Sequence, residues 1–233
     1  MKKTIKIKGQ RGFGDSICLY PIINYLSKNI EVITYTDFPE VYRDLNIKTE
    51  KYDNHKEINA GYLNLKNNQK TTQYEDICKT IGLDCSKIPF VINNNKKKEK
   101  ICLFRKIYTP LSGMKKKLEA ALFLMPKKES YYKLIDKIKP YYKCFQFGNE
   151  NDNKFDNIEN INLKKDFNEL VSLIGRASLV VTQVGHTLHL SEALGVKTHV
   201  IFSKKGLSCS NQFVKTITPK KVLFTKYSSW EID

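Results

Sequence analysis

The stretch Thr4–Asn29, TIKIKGQRGFGDSICLYPIINYLSKN, decides the fold. Ile5 and Ile7 alternate with lysines, the mark of a short strand. Gly9, Gly12 and Gly14 break it, and a helical run with Ile17, Tyr20, Pro21, Ile22, Ile23 and Leu26 follows at once. A strand that turns on glycines straight into a helix leaves a ring of backbone N–H groups at the helix start. That ring and the positive end of the helix dipole favour anions. The spacing Gly9-x-x-Gly12-x-Gly14 is neither the dinucleotide fingerprint nor the Walker pattern. Asp15 stands where the helix begins and reads two ways: as an N-cap, or as a general base at the mouth of a cleft.

A chain of 233 residues fits two domains of roughly 100 residues each. The boundary expected is the polar run Asn93–Lys100, NNNKKKEK, which gives domains 1–95 and 96–233. The net charge is +16 and unevenly placed. Residues 1–95 carry 14 Lys+Arg against 11 Asp+Glu, whereas 96–233 carry 26 against 13. Residues 96–143 alone hold 15 basic and 4 acidic side chains, so an anionic partner is expected for the second half. The six cysteines show no CxxC pair and sit mostly in apolar runs, as reduced, buried cytoplasmic thiols do. No apolar stretch follows MKKTIKIKGQ, so no signal peptide is expected. No apolar run reaches the length of a membrane span.

Strands and helices alternate along the chain, predicting an α/β fold with parallel sheets. Strands are expected at Ile30–Thr36, Ile47–Tyr52, Tyr62–Leu65 and Ile88–Ile92, with helices at Phe38–Leu45 and Tyr74–Ile81, the latter closed by Gly82. After the boundary come a strand at Ile101–Phe104 and a helix at Leu111–Met125. Another helix at Tyr131–Ile138, a strand at Cys144–Phe147 and a turn at Gly148-Asn149-Glu150 follow. Asp166 and Glu169 have capping-box spacing at the head of a helix. Strands at Ser178–Thr182 and Val196–Phe202 flank a helix that ends at Gly195. Val222–Thr225 is expected as the last strand before a tail with Trp230.

Between those flanking strands lies Gln183-Val184-Gly185-His186-Thr187-Leu188-His189, a glycine turn with two histidines opening a helix. His186 and His189, three apart, share nearly one helix face. As a bare pair they read either as anion contacts or as two metal ligands, with Glu192 the sole third ligand nearby. His199 reads as structural and His55 as a surface residue.

Gly12-Phe13-Gly14-Asp15 with Pro21 and Leu26, followed late by SLVVTQVGHTLHLSEALGVKTHVIF, resembles the heptosyltransferases, glycosyltransferase family 9. The resemblance implies the GT-B architecture, two Rossmann-like domains facing across a cleft. It also implies an inverting transfer from a nucleotide sugar. The 1–95 domain would then take the acceptor and 96–233 the donor. Asp15 would be the catalytic base, with Gly12, Gly14, Gln183, Gly185, His186, Thr187 and His189 on the donor side. The family's second loop usually reads Asp-Ser/Thr-Gly. Here it reads Gln183-Val184-Gly185, with one extra residue before His189. The chain has no Asp-x-Asp, so neither a metal nor another cofactor is expected, and lysines, histidines and helix N-termini would steady the leaving diphosphate.

Three functions follow as expectations. One is a cytoplasmic enzyme at the inner membrane face, glycosylating a cell-surface glycan or lipid-linked saccharide. Another is a viral-type DNA-base glycosyltransferase whose basic half contacts phosphates. The third is a nucleotide-sugar-binding protein without turnover. Residues 111–128, with Lys115, Lys116 and Lys117 opposite Leu118 and Leu122, are the expected contact with an anionic membrane. Specificity is expected in the loops Arg105–Lys117 and Lys204–Asn211.

Overall fold

Ile7 is fully buried and Ile5 partly so, which sets Thr4–Lys8 as strand β1. The computed structural model describes residues 3–8, 12–51, 58–59, 71–105, 125–148, 154–163, 166–204 and 218–233. The expected strand Tyr62–Leu65, Gly9, His55, Cys209 and nearly all of both specificity loops lie outside those residues. So does the Leu111–Met125 helix, except Met125, which stands in no helix. The chain forms two compact units, Met1–Ile92 and Asn93–Asp233.

In the first unit, β1 is joined by β2 (Glu31–Thr36), β3 (Lys48–Lys51) and β4 (Ile58–Asn59) in a parallel sheet of order β3-β2-β1-β4. Helix α1 (Phe13–Ser27) follows β1, and nine of its fifteen residues are buried, so it is a core helix rather than a surface one. Pro21 interrupts its hydrogen-bond ladder without ending it. Tyr42 O–H donates to the Ser16 carbonyl (2.9 Å) and the Ser16 and Thr36 hydroxyls meet at 3.3 Å, tying the head of α1 to the end of β2. Helix α2 (Gln73–Ile81) is capped by Thr72 and Glu75 and ends on Gly82.

Two elements differ from expectation here. Phe38–Leu45 contains only a 3-10 turn, Pro39–Tyr42. Ile88–Ile92 is not a strand. Its alternation is real, with Ile88, Phe90 and Ile92 buried and Val91 exposed, but the segment packs on α2 instead of a ladder. Tyr74 O–H donates to the Ile88 carbonyl (3.0 Å), the Tyr74 and Phe90 rings meet edge-on at 4.9 Å, and Pro89 has no N–H to offer a neighbour.

The second unit is built on a six-stranded parallel sheet of order β10-β9-β8-β5-β6-β7. The strands are β5 (Glu99–Arg105), β6 (Lys143–Gly148), β7 (Glu159–Asn162), β8 (Ala177–Thr182), β9 (Lys197–Phe202) and β10 (Ser228–Ile232). Helices α3 (Lys128–Ile138), α4 (Phe167–Arg176), α5 (His186–Ala193) and α6 (Pro219–Val222) connect them. Cys102, Phe104, Tyr131, Ile135, Cys144, Phe155, Val181 and Ile201 form one core, and Leu188, Val200, Phe202 and Val222 another. Asp166 caps α4 by accepting from Asn168 N–H (2.8 Å), one residue nearer than capping-box spacing implies.

Val222–Thr225, expected as a strand, is the last residue of α6 followed by irregular chain; the last strand among the described residues is β10, and Trp230 lies in it half exposed. Pro219 sets the first helical residue, and the N–H groups of Phe224 and Thr225 go to a side chain rather than a ladder. His199 bridges β9 to β10, its Nδ1 at 2.9 Å from Ser229 Oγ and its Nε2 at 3.5 Å from Glu231, the structural role expected of it. Cys18, Cys78, Cys102 and Cys144 are buried free thiols; Cys85, half-buried, meets Cys78 Sγ at 2.7 Å.

Candidate functional site

Both glycine loops sit where a strand ends and a helix begins, one in each unit. In the first, Gly12 is the N-cap of α1 with ordinary φ −90° and ψ 146°, and Gly14 lies in the first turn. Asp15 is therefore not the N-cap but the third helical residue. Its Oδ2 accepts from the Gly12 N–H (3.2 Å) and its Oδ1 lies 3.5 Å from Gln73 Nε2. Glycine is needed at position 12 for space, because a Cβ there would lie 2.3 Å from Asp15 Oδ2. An acid in the first turn also suits the helix dipole.

The second loop lies at the topological switch of its sheet. From β5 the chain winds outward through β6 and β7, then returns to β8 on the other side of β5. The gap between β5 and β8, at their carboxyl ends, is where ligands bind in such sheets. Arg105 and Thr182 end these strands in register. The Arg105 side chain is buried, donates to the Phe147 carbonyl (3.1 Å) and lies over the Phe147 ring at 5.7 Å.

Gln183 follows, buried, with its Oε1 accepting from no group of the described residues. Gly185 is the N-cap of α5 at φ 156° and ψ −170°, backbone open essentially to glycine alone. His186 is the first helical residue and half-buried. Thr187 is wholly buried and its Oγ1 is unpartnered among the described residues, as is Nδ1 of the buried His189. Such atoms are rare in folded proteins and each calls for an explanation, a ligand among them.

His189 lies flat on the Phe224 ring, centroids 4.9 Å apart and planes 11° from parallel. Burial, and secondarily the charge of His186, pull its pKa down to about 3, so it is neutral at pH 7. It acts at neutral pH as a neutral imidazole, which leaves it the hydrogen-bonding form of a contact to an anion. Glu192 is committed elsewhere. Both its oxygens accept hydrogen bonds from residues 224–228, and burial pushes its pKa above the usual carboxylate value. That ends its use as the third ligand to the histidine pair. Among the described residues no group of three or more His, Cys, Asp or Glu is placed to hold a metal ion.

Sequence reasoning missed Gln73, Arg105, Glu192's partners and Phe224. Arg105 had a signal, a charge ending an apolar strand; Glu192 had a weaker one, an acid inside an apolar helix. Gln73 and Phe224 had none, because their roles depend on what folds against them.

Two α/β units with parallel sheets, the second in Rossmann order, define the GT-B class of fold. The chain is similar in structure to the iron-containing dodecameric glycosyltransferase TibC of enterotoxigenic E. coli H10407, at TM-score 0.67 and 11% identity over 98% of this chain and 62% of that one. It is also similar to the E. coli heptosyltransferase WaaC with ADP (TM-score 0.63, 10% identity, 99% of this chain and 93% of that one). A family 9 glycosyl transferase of Veillonella parvula DSM 2008 aligns at TM-score 0.60 and 11% identity, over 99% of this chain and 86% of that one. The chain spans 62% of the length of TibC. No family model and no curated protein sequence matches it. The likeness is one of fold, and it is the heptosyltransferase-like fold expected from the sequence. No helix among the described residues is long and apolar enough to cross a membrane.

Proposed function

We propose that this chain is an inverting glycosyltransferase, moving a sugar from a nucleotide sugar to a hydroxyl of a saccharide or lipid-linked acceptor without a metal. The observation that carries the reading is the set of buried polar atoms on Gln183, Thr187 and His189, unpartnered among the described residues and lying just before and within the first turns of one glycine-capped helix at the switch point. Asp15 takes the proton of the acceptor hydroxyl as its oxygen attacks the anomeric carbon. The bond from that carbon to the diphosphate breaks, and the charge released settles on the first-turn N–H groups of α5, the Thr187 hydroxyl and His186. His189 contributes as a neutral hydrogen-bonding group. Two structural neighbours support the donor class, since one is a heptosyltransferase with ADP and another is in complex with ADP-D-beta-D-heptose. Work at the cytoplasmic face of the membrane, through residues 111–128, belongs to the same reading.

One observation favours a second reading. Asp15 already caps α1 through Gly12, so the protein would bind a nucleotide sugar without turning it over. A panel of ADP-, UDP-, GDP- and CDP-sugars separates these. A donor at 100 times its Kd raises stability by about 2.7 kcal/mol, visible as a melting shift. Shift with release of nucleoside diphosphate supports the enzyme, shift without release under any acceptor supports the binding protein, and no shift with any donor overturns both.

A further inference from the structure

Glu192 is 1% exposed on α5, and a carboxylate so placed is unfavourable by several kcal/mol unless donors surround it. Among the described residues, every hydrogen bond it accepts comes from one short segment, 224–228. Its Oε1 accepts from Phe224 N–H (3.0 Å), Thr225 N–H (3.1 Å), Thr225 Oγ1 (3.3 Å) and Ser228 Oγ (2.7 Å), and its Oε2 from Phe224 N–H (3.2 Å). The segment is thereby strapped across α5 between α6 and β10. At the near end of the strap the Phe224 ring covers the His189 imidazole, one helical turn from the Gly185 cap. Beyond it, the Tyr227 carbonyl accepts from Thr198 N–H (3.2 Å), so the strap is fixed to β9 as well. Four hydrogen-bond donors converging on a buried acid is a larger device than joining a turn to a helix requires. The stacking of Phe224 on His189 falls on the helix that the Gly185 loop opens.

We propose that Glu192 is a positioning residue for the donor: by anchoring Phe224–Ser228 it holds Phe224 on His189 and keeps the first turn of α5 in its diphosphate-binding conformation. This rests on the function proposed above. Glu192 touches no substrate; it acts through the strap. A strap that only glues the fold would alter stability and leave the substrate constants alone.

The test uses the full chain with Glu192→Ala, Glu192→Gln and Phe224→Leu, the last leaving the strap's backbone donors in place. NMR of the His189 ring protons reads the strap directly. In the parent they are displaced upfield by the Phe224 ring current, and they return toward ordinary values in Glu192→Ala and Phe224→Leu, with Glu192→Gln between. Kinetics with the nucleotide sugar that most stabilises the parent read the consequence. Donor KM rises about 10-fold in Glu192→Ala and Phe224→Leu, with kcat and acceptor KM nearly unchanged and partial recovery in Glu192→Gln. Folded variants with the parent's donor KM overturn the proposal, as does a His189 spectrum unmoved by Glu192→Ala. A fall in kcat shared by both substrates overturns it too. A parent that binds no nucleotide sugar sinks the proposed function, which the parent's own melting curve reveals before any variant is made.

Discussion

The two glycine loops each join a strand to a helix, and the polar groups at the two helix starts end in opposite states. Around Gly12 the polar groups answer one another: Asp15 accepts from Gly12 and faces Gln73, while Ser16 meets Thr36 and Tyr42. Around Gly185 they do not, and Gln183, Thr187 and His189 each bury a polar atom with no partner among the described residues. The glycines differ in the same sense. Gly12 has an ordinary backbone and is small so that a carboxylate can sit against it, whereas Gly185 holds a backbone other residues avoid. Where the described polar groups answer one another a side chain is positioned; where buried ones do not, a ligand has something to satisfy.

The largest test of this contrast is Asp15→Asn. Asparagine still accepts from the Gly12 N–H, so the fold should hold while turnover falls about 100-fold or more, the usual worth of a general base. Full activity, measured beside an unchanged circular dichroism spectrum, would reduce the first loop to a helix cap.

Next comes acid. The unfolded chain protonates His189 below pH 6.5, while the folded protein does not until about pH 3. The unfolded state therefore binds the extra proton between those values, and the stability present above pH 6.5 is lost as the pH falls through that window. By pH 4 the loss should reach roughly 3 kcal/mol. Urea melts of parent and His189→Leu across pH 4–7 should show a shallower slope in the variant; parallel slopes would mean the imidazole is not held neutral.

Gly185→Ala should destabilise by about 1–3 kcal/mol, because its backbone is outside the range alanine adopts freely. Chemical denaturation that finds no loss would remove strain from the account of the second loop.

Gly12→Ala sharpens the comparison most gently. Its backbone suits alanine, and the atom in the way is the free end of a side chain, so stability should scarcely change. The Asp15 carboxylate must move, however, and turnover should fall about 10-fold, as displacement of a base does. Activity equal to the parent's would show that the carboxylate's place beside Gly12 has no bearing on catalysis.

The sequence by itself determined the succession of strands and helices, because glycines punctuate it and apolar spacing changes period where they stand. It marked both glycine loops and the residues in them for the same reason. It failed where local pattern had two solutions. Ile88–Ile92 alternates like a strand, yet packing on Tyr74 and Pro89's missing N–H leave it unpaired. Val222–Thr225 is apolar enough for a strand, yet Glu192 takes its backbone donors. Only the tertiary structure decided the protonation of His189, since burial against Phe224 sets it and the two lie 35 positions apart in the chain. It also decided that Glu192 is an anchor and not a ligand. A side chain's chemistry is written in the sequence, but its charge and its partners depend on what the fold brings within 3–5 Å of it, and here that came from the far end of the chain.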